Sequence, residues 1–357
     1  MEKYSKGQDD DTKRCSINRI PSFVELLSYI LYPGTCYVGP FFEFKDYIDF
    51  IEERNGYTNI PLCLGRASVK YLKGFACFGV IVFIGSIVDI SYLSQSEYGN
   101  ETFFLKMVYM YLAVSKFKYT GYSIWCFTDG ANMLSGLGYS GEGQALNDEP
   151  QGNITKTYPK FERNIGIKIS SIEFASCPRD VINNWNIQTM VWLRKYVYDR
   201  IKQGKKENEG IATLVTFMVS AFWHGFEAGY YIFFYYVHVL LTVSRWIYKR
   251  KEVFSFMPPL LRHILCNFLS IFCIHYMGCV FVMRRLGSGW EFMKHTYFIG
   301  LWPVSMAYVL MKLIPDNLSK SVRVHRFKTA TNETDQSGVR RSYSPPEECS
   351  SGKMKTS

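Results

Sequence analysis

Apolar and charged residues are sharply segregated along this chain, and that segregation limits the fold more than any single motif. From Ile211 to Leu241 there is no lysine or arginine, and the only acidic or histidine members are His224, Glu227 and His238. Tyr71–Leu93 is the clearest further run, Phe103–Phe127 is weakened by Lys106, Lys116 and Lys118, and Leu261–Met283 and Tyr297–Leu313 complete the set. A helix needs about 20 mostly apolar residues to cross roughly 30 Å of hydrocarbon, and several of these runs reach that length. The expected fold is all-α: a polytopic transmembrane helical bundle with about six to eight membrane-embedded segments.

Composition supports this reading. The 357 residues are 48% hydrophobic and 17% aromatic, and aromatic rings suit the headgroup level of a bilayer. The formal charge of +10 has two readings. A nucleic-acid partner would want a basic face on a soluble domain. Here basic residues flank apolar runs, as in Ser244–Lys251 (SRWIYKRK), which fits the positive-inside rule, and no nucleic-acid partner is expected. None of the ten cysteines forms a CxxC pair, so they read as small buried hydrophobes rather than disulfides or a zinc site. The start, MEKYSKGQDDDTKRC, lacks the basic-then-apolar order of a secretory signal.

Along the chain, residues 1–20 form a polar N-terminal segment, 21–314 one membrane domain, and 315–357 a basic, Ser/Thr-rich tail expected to be disordered. Pro21–Gly39 suggests an embedded or re-entrant segment, and FFEFKDYIDFIEERNGY an amphipathic interfacial helix. Gly130–Asn184 reads as polar and irregular. Within it GLGYSG matches the GxGxxG fingerprint, but no strand and helix flank it as a βαβ unit requires, so a glycine-rich turn is expected. Asn184–Lys202 is expected to be one helix with Asn186, Thr189 and Leu193 on one face and charges on the other. Gly225 and Gly229 are candidate bends.

His224, in SAFWHG, is the leading candidate for chemistry. Ionisable groups at membrane depth are costly and point to function. Ser220, Ala221 and Ala228 fall on its helix face, small enough for a neighbour or ligand to approach. The plainer alternative is a histidine hydrogen-bonded to an adjacent helix. Asn186 offers an uncharged acceptor and donor that could orient the histidine or donate to a developing oxyanion. Its plainer alternative is a helix N-cap, although Asn183 and Asn184 stand better placed for that. Glu227 could orient His224, His238 reads as structural, and His263, His275 and His295 stand singly. No GxSxG or HExxH motif is present, and no metal is expected. Four glycosylation sequons, at Asn100, Asn153, Asn317 and Asn332, are short matches that need a lumenal location.

At WNIQTMVWLRKYVYDR and SAFWHGFEAGYY the sequence resembles the membrane-bound O-acyltransferase family, closest to its lysophospholipid acyltransferase branch. PSFVELLSYI, GPFFEFKDYIDFI, LSGLGYSG and KISSIEFASCPRDVINNWN agree in the family's order, from Pro21 to Trp302. The resemblance implies that the helical bundle encloses a catalytic chamber and that Asn186 and His224 are the catalytic pair. It implies acyl-CoA as co-substrate, a lysophospholipid as acceptor, membrane lipid as surroundings and no cofactor, and it leaves a homo-oligomer open. Family members carry further transmembrane helices before PSFVELLSYI, whereas twenty polar residues precede it here, so N-terminal helices are expected to be missing. Alternatives of the same fold are another acceptor (a sterol, diacylglycerol or protein) or a catalytically inactive scaffold. Lys353 and Lys355 resemble the dilysine retrieval signal, which implies an endoplasmic-reticulum membrane and a cytosolic C-terminus.

Overall fold

Many large apolar side chains lie on the surface of this molecule, and several charged ones, such as Asp46, Asp49, Lys106 and Asp129, are buried within it. The computed structural model describes residues 14–146, 154–250 and 256–314. The 315–357 tail with Lys353 and Lys355, and the sequon asparagines Asn153, Asn317 and Asn332, lie outside them. Helix α1 (Phe23–Ile30) starts at a capping box in which Ser22 and Glu25 satisfy each other's backbone amides. It buries none of its residues and leaves Phe23 and Ile30 exposed. Eight residues cannot span a bilayer. Its hold on the rest is Tyr29, whose hydroxyl donates to the Phe42 carbonyl at 2.7 Å and whose ring meets Phe42, Phe44 and Tyr47 edge-on.

Helix α2 (Phe44–Ile51) carries the expected amphipathic pattern, but it buries Asp46, Tyr47 and Asp49 and exposes Ile51. Asp46 accepts from Arg14 at 2.8 Å and from Arg163 at 2.7 Å, and Asp49 pairs with Lys45. Where the surrounding phase is apolar, charges gain by pairing inside.

Helix α3 (Leu64–Gly85) buries only Ala67, Gly74, Cys77 and Ile84. A short 3₁₀ turn (Ile90–Ser94) and α4 (Ser96–Asn100) lead into the 33-residue α5 (Phe103–Ser135), against which α3 makes the most extensive helix contact. The small stripe lets the backbones close: Ser123 Oγ donates to the Gly74 carbonyl at 2.9 Å. The span expected over Tyr71–Leu93 therefore lies earlier and ends at Gly85, because Asp89 caps the following turn. Lysines weakened the Phe103–Phe127 signal because two of them point inward. Lys106 Nζ donates to the Gly99 and His295 carbonyls, and Lys118 pairs with Glu173 at 2.8 Å.

After α5, Gly136 takes φ +93° as the helix cap and Gly141 takes φ +97°, so GLGYSG is the expected turn, following a helix rather than a strand. The next region is not irregular as expected. Strands β1 (Gly141–Leu146) and β2 (Ile154–Lys160) pair antiparallel, Gly141 opposite Lys160, and α6 (Ile169–Glu173) and α7 (Pro178–Asn184) follow.

The single helix expected over Asn184–Lys202 is three pieces: α8 (Ile187–Leu193), a π-helical turn (Arg194–Tyr198) and α9 (Asp199–Lys202). Asn184 belongs to α7, and the chain straightens at Trp185 before restarting. Likewise the Ile211–Leu241 run is two helices, α10 (Glu209–His224) and α11 (Ala228–Tyr248), broken at Gly225 with φ +132°. Helix α12 (Pro259–Met283) matches its expected run closely, and α13 (Leu286–His295) and α14 (Trp302–Leu313) follow. Helix α14 carries the chain from a unit ending at Tyr308 into one beginning at Val309.

The main core gathers Tyr98, Met110, Tyr276, Met277, Val280 and Phe292, from α4, α5, α12 and α13. Among the described residues, α3 and α12 are the helices long and apolar enough to cross a membrane by length and composition. Helices provide nearly all the regular structure, as the all-α expectation requires, with one hairpin as the exception.

Candidate functional site

Asn186 sits where α7 ends and α8 begins, with φ +46° and ψ +57°. This left-handed conformation is costly for most residues, but asparagine tolerates it. The residue occupies the N-cap position, yet its side chain caps nothing, and Asn184 Nδ2 instead bonds back to the Asp180 carbonyl. Among the described residues no hydrogen bond reaches the Asn186 carboxamide, so its donor and acceptor remain available. The π-helical turn begins eight positions on, at Arg194. Such turns are frequent at functional sites because they re-aim side chains within a helix.

His224 is the last residue of α10, with the left-handed Gly225 ending the helix behind it. Ala228 is therefore not on its helix face as the sequence suggested; it begins the next helix. Aromatic rings surround the imidazole: Phe281 edge-on at 4.9 Å, Phe234 stacked at 5.5 Å, Tyr230 at 5.6 Å and Trp223 at 4.7 Å. Despite these walls His224 is an exposed residue, so the ring is open on one side. No hydrogen bond to it is formed among the described residues, and the alternative of a histidine tied to a neighbouring helix does not hold.

Three other histidines have partners. His275 Nδ1 bonds to the Ile271 carbonyl and its ring stacks on Tyr111; His263 meets Ser176; His295 Nδ1 faces the Leu93 carbonyl. His238 has a buried Nδ1 without a partner and lies within α11, away from the helix break. Glu227 is exposed and does not bond to His224.

No hydrogen bond joins His224 and Asn186 among the described residues. A relay of rings joins them: Trp185, the neighbour of Asn186, meets Phe117 at 6.3 Å, Phe117 meets Phe281 at 5.6 Å, and Phe281 meets His224. The π-helical turn also packs on α10, the helix that ends at His224. Phe281, Phe117, Tyr230 and Phe234 were not singled out from sequence. The apolar pattern marks such residues as buried, but nothing in it says that they converge on one histidine.

An unpartnered imidazole and an unpartnered carboxamide, each at a helix break, suit a reaction that moves a proton and steadies charge. The sequence matches the membrane-bound O-acyltransferase family model over residues 6–285, and the chain belongs to that family. It is 28% identical to lysophospholipid acyltransferase 2 of Arabidopsis thaliana over 87% of this chain and 66% of that protein. It is 26% identical to the lysophospholipid acyltransferase of Schizosaccharomyces pombe over 80% of this chain and 57% of that protein. With lysophospholipid acyltransferase 6 of Drosophila melanogaster the identity is 29%, over 68% and 34%. The chain thus spans between about one third and two thirds of the length of these relatives.

Proposed function

We propose that this chain is an acyl-CoA-dependent lysophospholipid O-acyltransferase, with His224 as general base and Asn186 as the oxyanion partner. In the reaction a neutral imidazole nitrogen of His224 takes the proton of a lysolipid glycerol hydroxyl. The oxygen attacks the thioester carbonyl carbon, and the negative charge moves to the carbonyl oxygen. The Asn186 amide donates to that oxygen while the tetrahedral carbon persists. Collapse breaks the C–S bond, and the CoA thiolate takes the proton back from the imidazolium. General-base help of this kind is worth about 10²–10⁴-fold. A positioned oxyanion donor contributes about 10²–10³-fold in kcat.

The observation that carries the reading is that His224, walled by aromatic rings at the end of α10, and Asn186, on a left-handed step before α8, both hold polar side chains without a hydrogen bond among the described residues. The names of the relatives supply the acceptor class. Microsomes carrying the chain are expected to esterify lysophospholipid from acyl-CoA. His224→Ala is expected to remove that activity, and a panel of sterol, diacylglycerol and peptide acceptors to give no product. Undiminished turnover by the alanine variant would sink the assignment.

The same reading places the chain as a multi-pass protein of the endoplasmic-reticulum membrane with its C-terminus in the cytosol. The support is the apolar character of α3 and α12 together with Lys353 and Lys355 near the end of the sequence. Loss of reticular localisation on Lys353→Ser with Lys355→Ser is the expected result.

A further inference from the structure

The backbone on both sides of Asn186 is held by one segment, Arg163–Lys168. Lys168 N donates to the Asn184 carbonyl at 3.1 Å, and Ile187 N donates to the Gly166 carbonyl at 2.8 Å, so Asn186 lies between two bonds to the same strap. The Gln188 side chain adds two more, from Nε2 to the Arg163 carbonyl at 3.1 Å and to the Ile165 carbonyl at 3.3 Å. The strap is in turn fixed from α5. Asp129 Oδ1 accepts the Gly166 amide at 2.7 Å, and its other oxygen takes Lys70 Nζ of α3 at 2.6 Å. The Asp129 side chain is 1% exposed, so this acceptor has no water to exchange with. Trp125 closes the other side: a β-carbon added at Gly166 would lie 3.2 Å from its ring.

From this geometry we infer that Asp129 is a positioning residue for Asn186, acting through Gly166 and Ile187. The inference rests on the reading of Asn186 as the oxyanion partner. The Asn186 carbonyl takes the Met190 amide at 3.1 Å as the first bond of α8, but the left-handed step itself is sparsely populated and persists where the surrounding structure over-determines it, here through the ties on either side of the residue. Asp129 fixes Gly166, Gly166 fixes the first amide of α8, and that amide fixes the direction in which the carboxamide leaves the chain. The acceptor at Gly166, not the negative charge, is the feature that matters.

The test uses the full chain in lipid nanodiscs, with two readouts: hydrogen exchange of the peptide covering residues 184–189, and acyl-transfer kinetics. Asp129→Leu removes the acceptor, whereas Asp129→Asn keeps a carbonyl for Gly166. For Asp129→Leu, exchange at 184–189 is expected to rise about tenfold or more while α12 is unchanged; kcat is expected to fall about tenfold to a hundredfold with KM for acyl-CoA within about twofold. Asp129→Asn loses the charge that pairs with Lys70 and is expected to melt lower, but to keep local exchange at 184–189 and kcat far closer to wild type than Asp129→Leu does. Gln188→Met, which removes the other ties to the strap, is expected to give a weaker form of the same pattern and carries the test if Asp129→Leu does not fold. Unchanged exchange at 184–189 in Asp129→Leu, or in Gln188→Met where that variant carries the test, overturns the inference, as does an Asp129→Asn variant as damaged as Asp129→Leu. If exchange responds but the wild type transfers no acyl group, the strap stands and the catalytic reading falls; transfer with unresponsive exchange means the reverse.

Discussion

Gly229 donates its amide to the Arg284 carbonyl at 2.7 Å, which locks the start of α11 to the end of α12. The break that presents His224 lies four residues earlier, at Gly225, and the ring that His224 meets edge-on, Phe281, lies on the same last turn of α12. A β-carbon at Gly229 would stand 2.5 Å from the Val280 carbonyl oxygen and 2.6 Å from that of Arg284, both backbone atoms that cannot turn aside. Gly229→Ala is therefore expected to cost about 1–3 kcal/mol of stability by overpacking and to reduce acyl transfer as the hairpin shifts. Thermal unfolding in detergent checks the first effect; unchanged melting would show that the contact is looser than its geometry.

Phe281 touches His224, Tyr230, Phe233 and Phe117 with centroid distances from 4.9 to 5.6 Å. Truncation to alanine is expected to cost about 3–5 kcal/mol, so it tests only the core. Phe281→Leu keeps most of the volume but loses the edge against the imidazole. It is expected to retain the fold while lowering kcat more than it raises KM, measured at saturating acyl-CoA.

Asn186 can be separated from its backbone. Glycine adopts φ +46° without strain, so Asn186→Gly is expected to preserve stability while lowering kcat about 10²–10³-fold through loss of the oxyanion donor. Asn186→Ala adds strain to the same chemical loss and should melt lower than the glycine variant. A glycine variant of full activity would remove Asn186 from the chemistry.

Lys118 and Glu173 are 2.8 Å apart, and the Tyr122 hydroxyl donates to the same carboxylate at 2.8 Å. Lys118→Met leaves Glu173 without its cation in an apolar setting and is expected to cost about 3 kcal/mol or more. Combining it with Glu173→Gln is expected to recover most of that loss, a non-additivity readable in a double-mutant cycle of melting.

How much of this was legible depended on which way the side chains point. The α12 run is apolar throughout and was placed within two residues of its observed start. Lys106 and Lys118 made α5 look interrupted, because a linear reading cannot tell an inward, paired lysine from one that ends a span. The acids of α2 misled in the same way: periodicity gave the faces but not which of them meets lipid. His224 and Asn186 were identified by motif, yet their settings were not. A one-residue left-handed step at Asn186 and the break behind His224 leave little trace in helical spacing, and glycine at position 225 was the only local cue to either. The strap around Asn186 is made of backbone amides and carbonyls, which every residue carries alike.

The outer face of α3 has a thermodynamic consequence. Leu72, Phe75 and Phe83 are more than 60% exposed, while only four small or medium residues of this helix turn inward. In a bilayer those outer side chains stay in hydrocarbon whether or not the bundle holds together. Unbundling then wets little new apolar surface, and the heat-capacity increment should fall well below the roughly 12–15 cal/mol/K per residue of a water-soluble domain. Its melting would track the loss of internal ion pairs and ring contacts, with a nearly straight dependence of free energy on temperature.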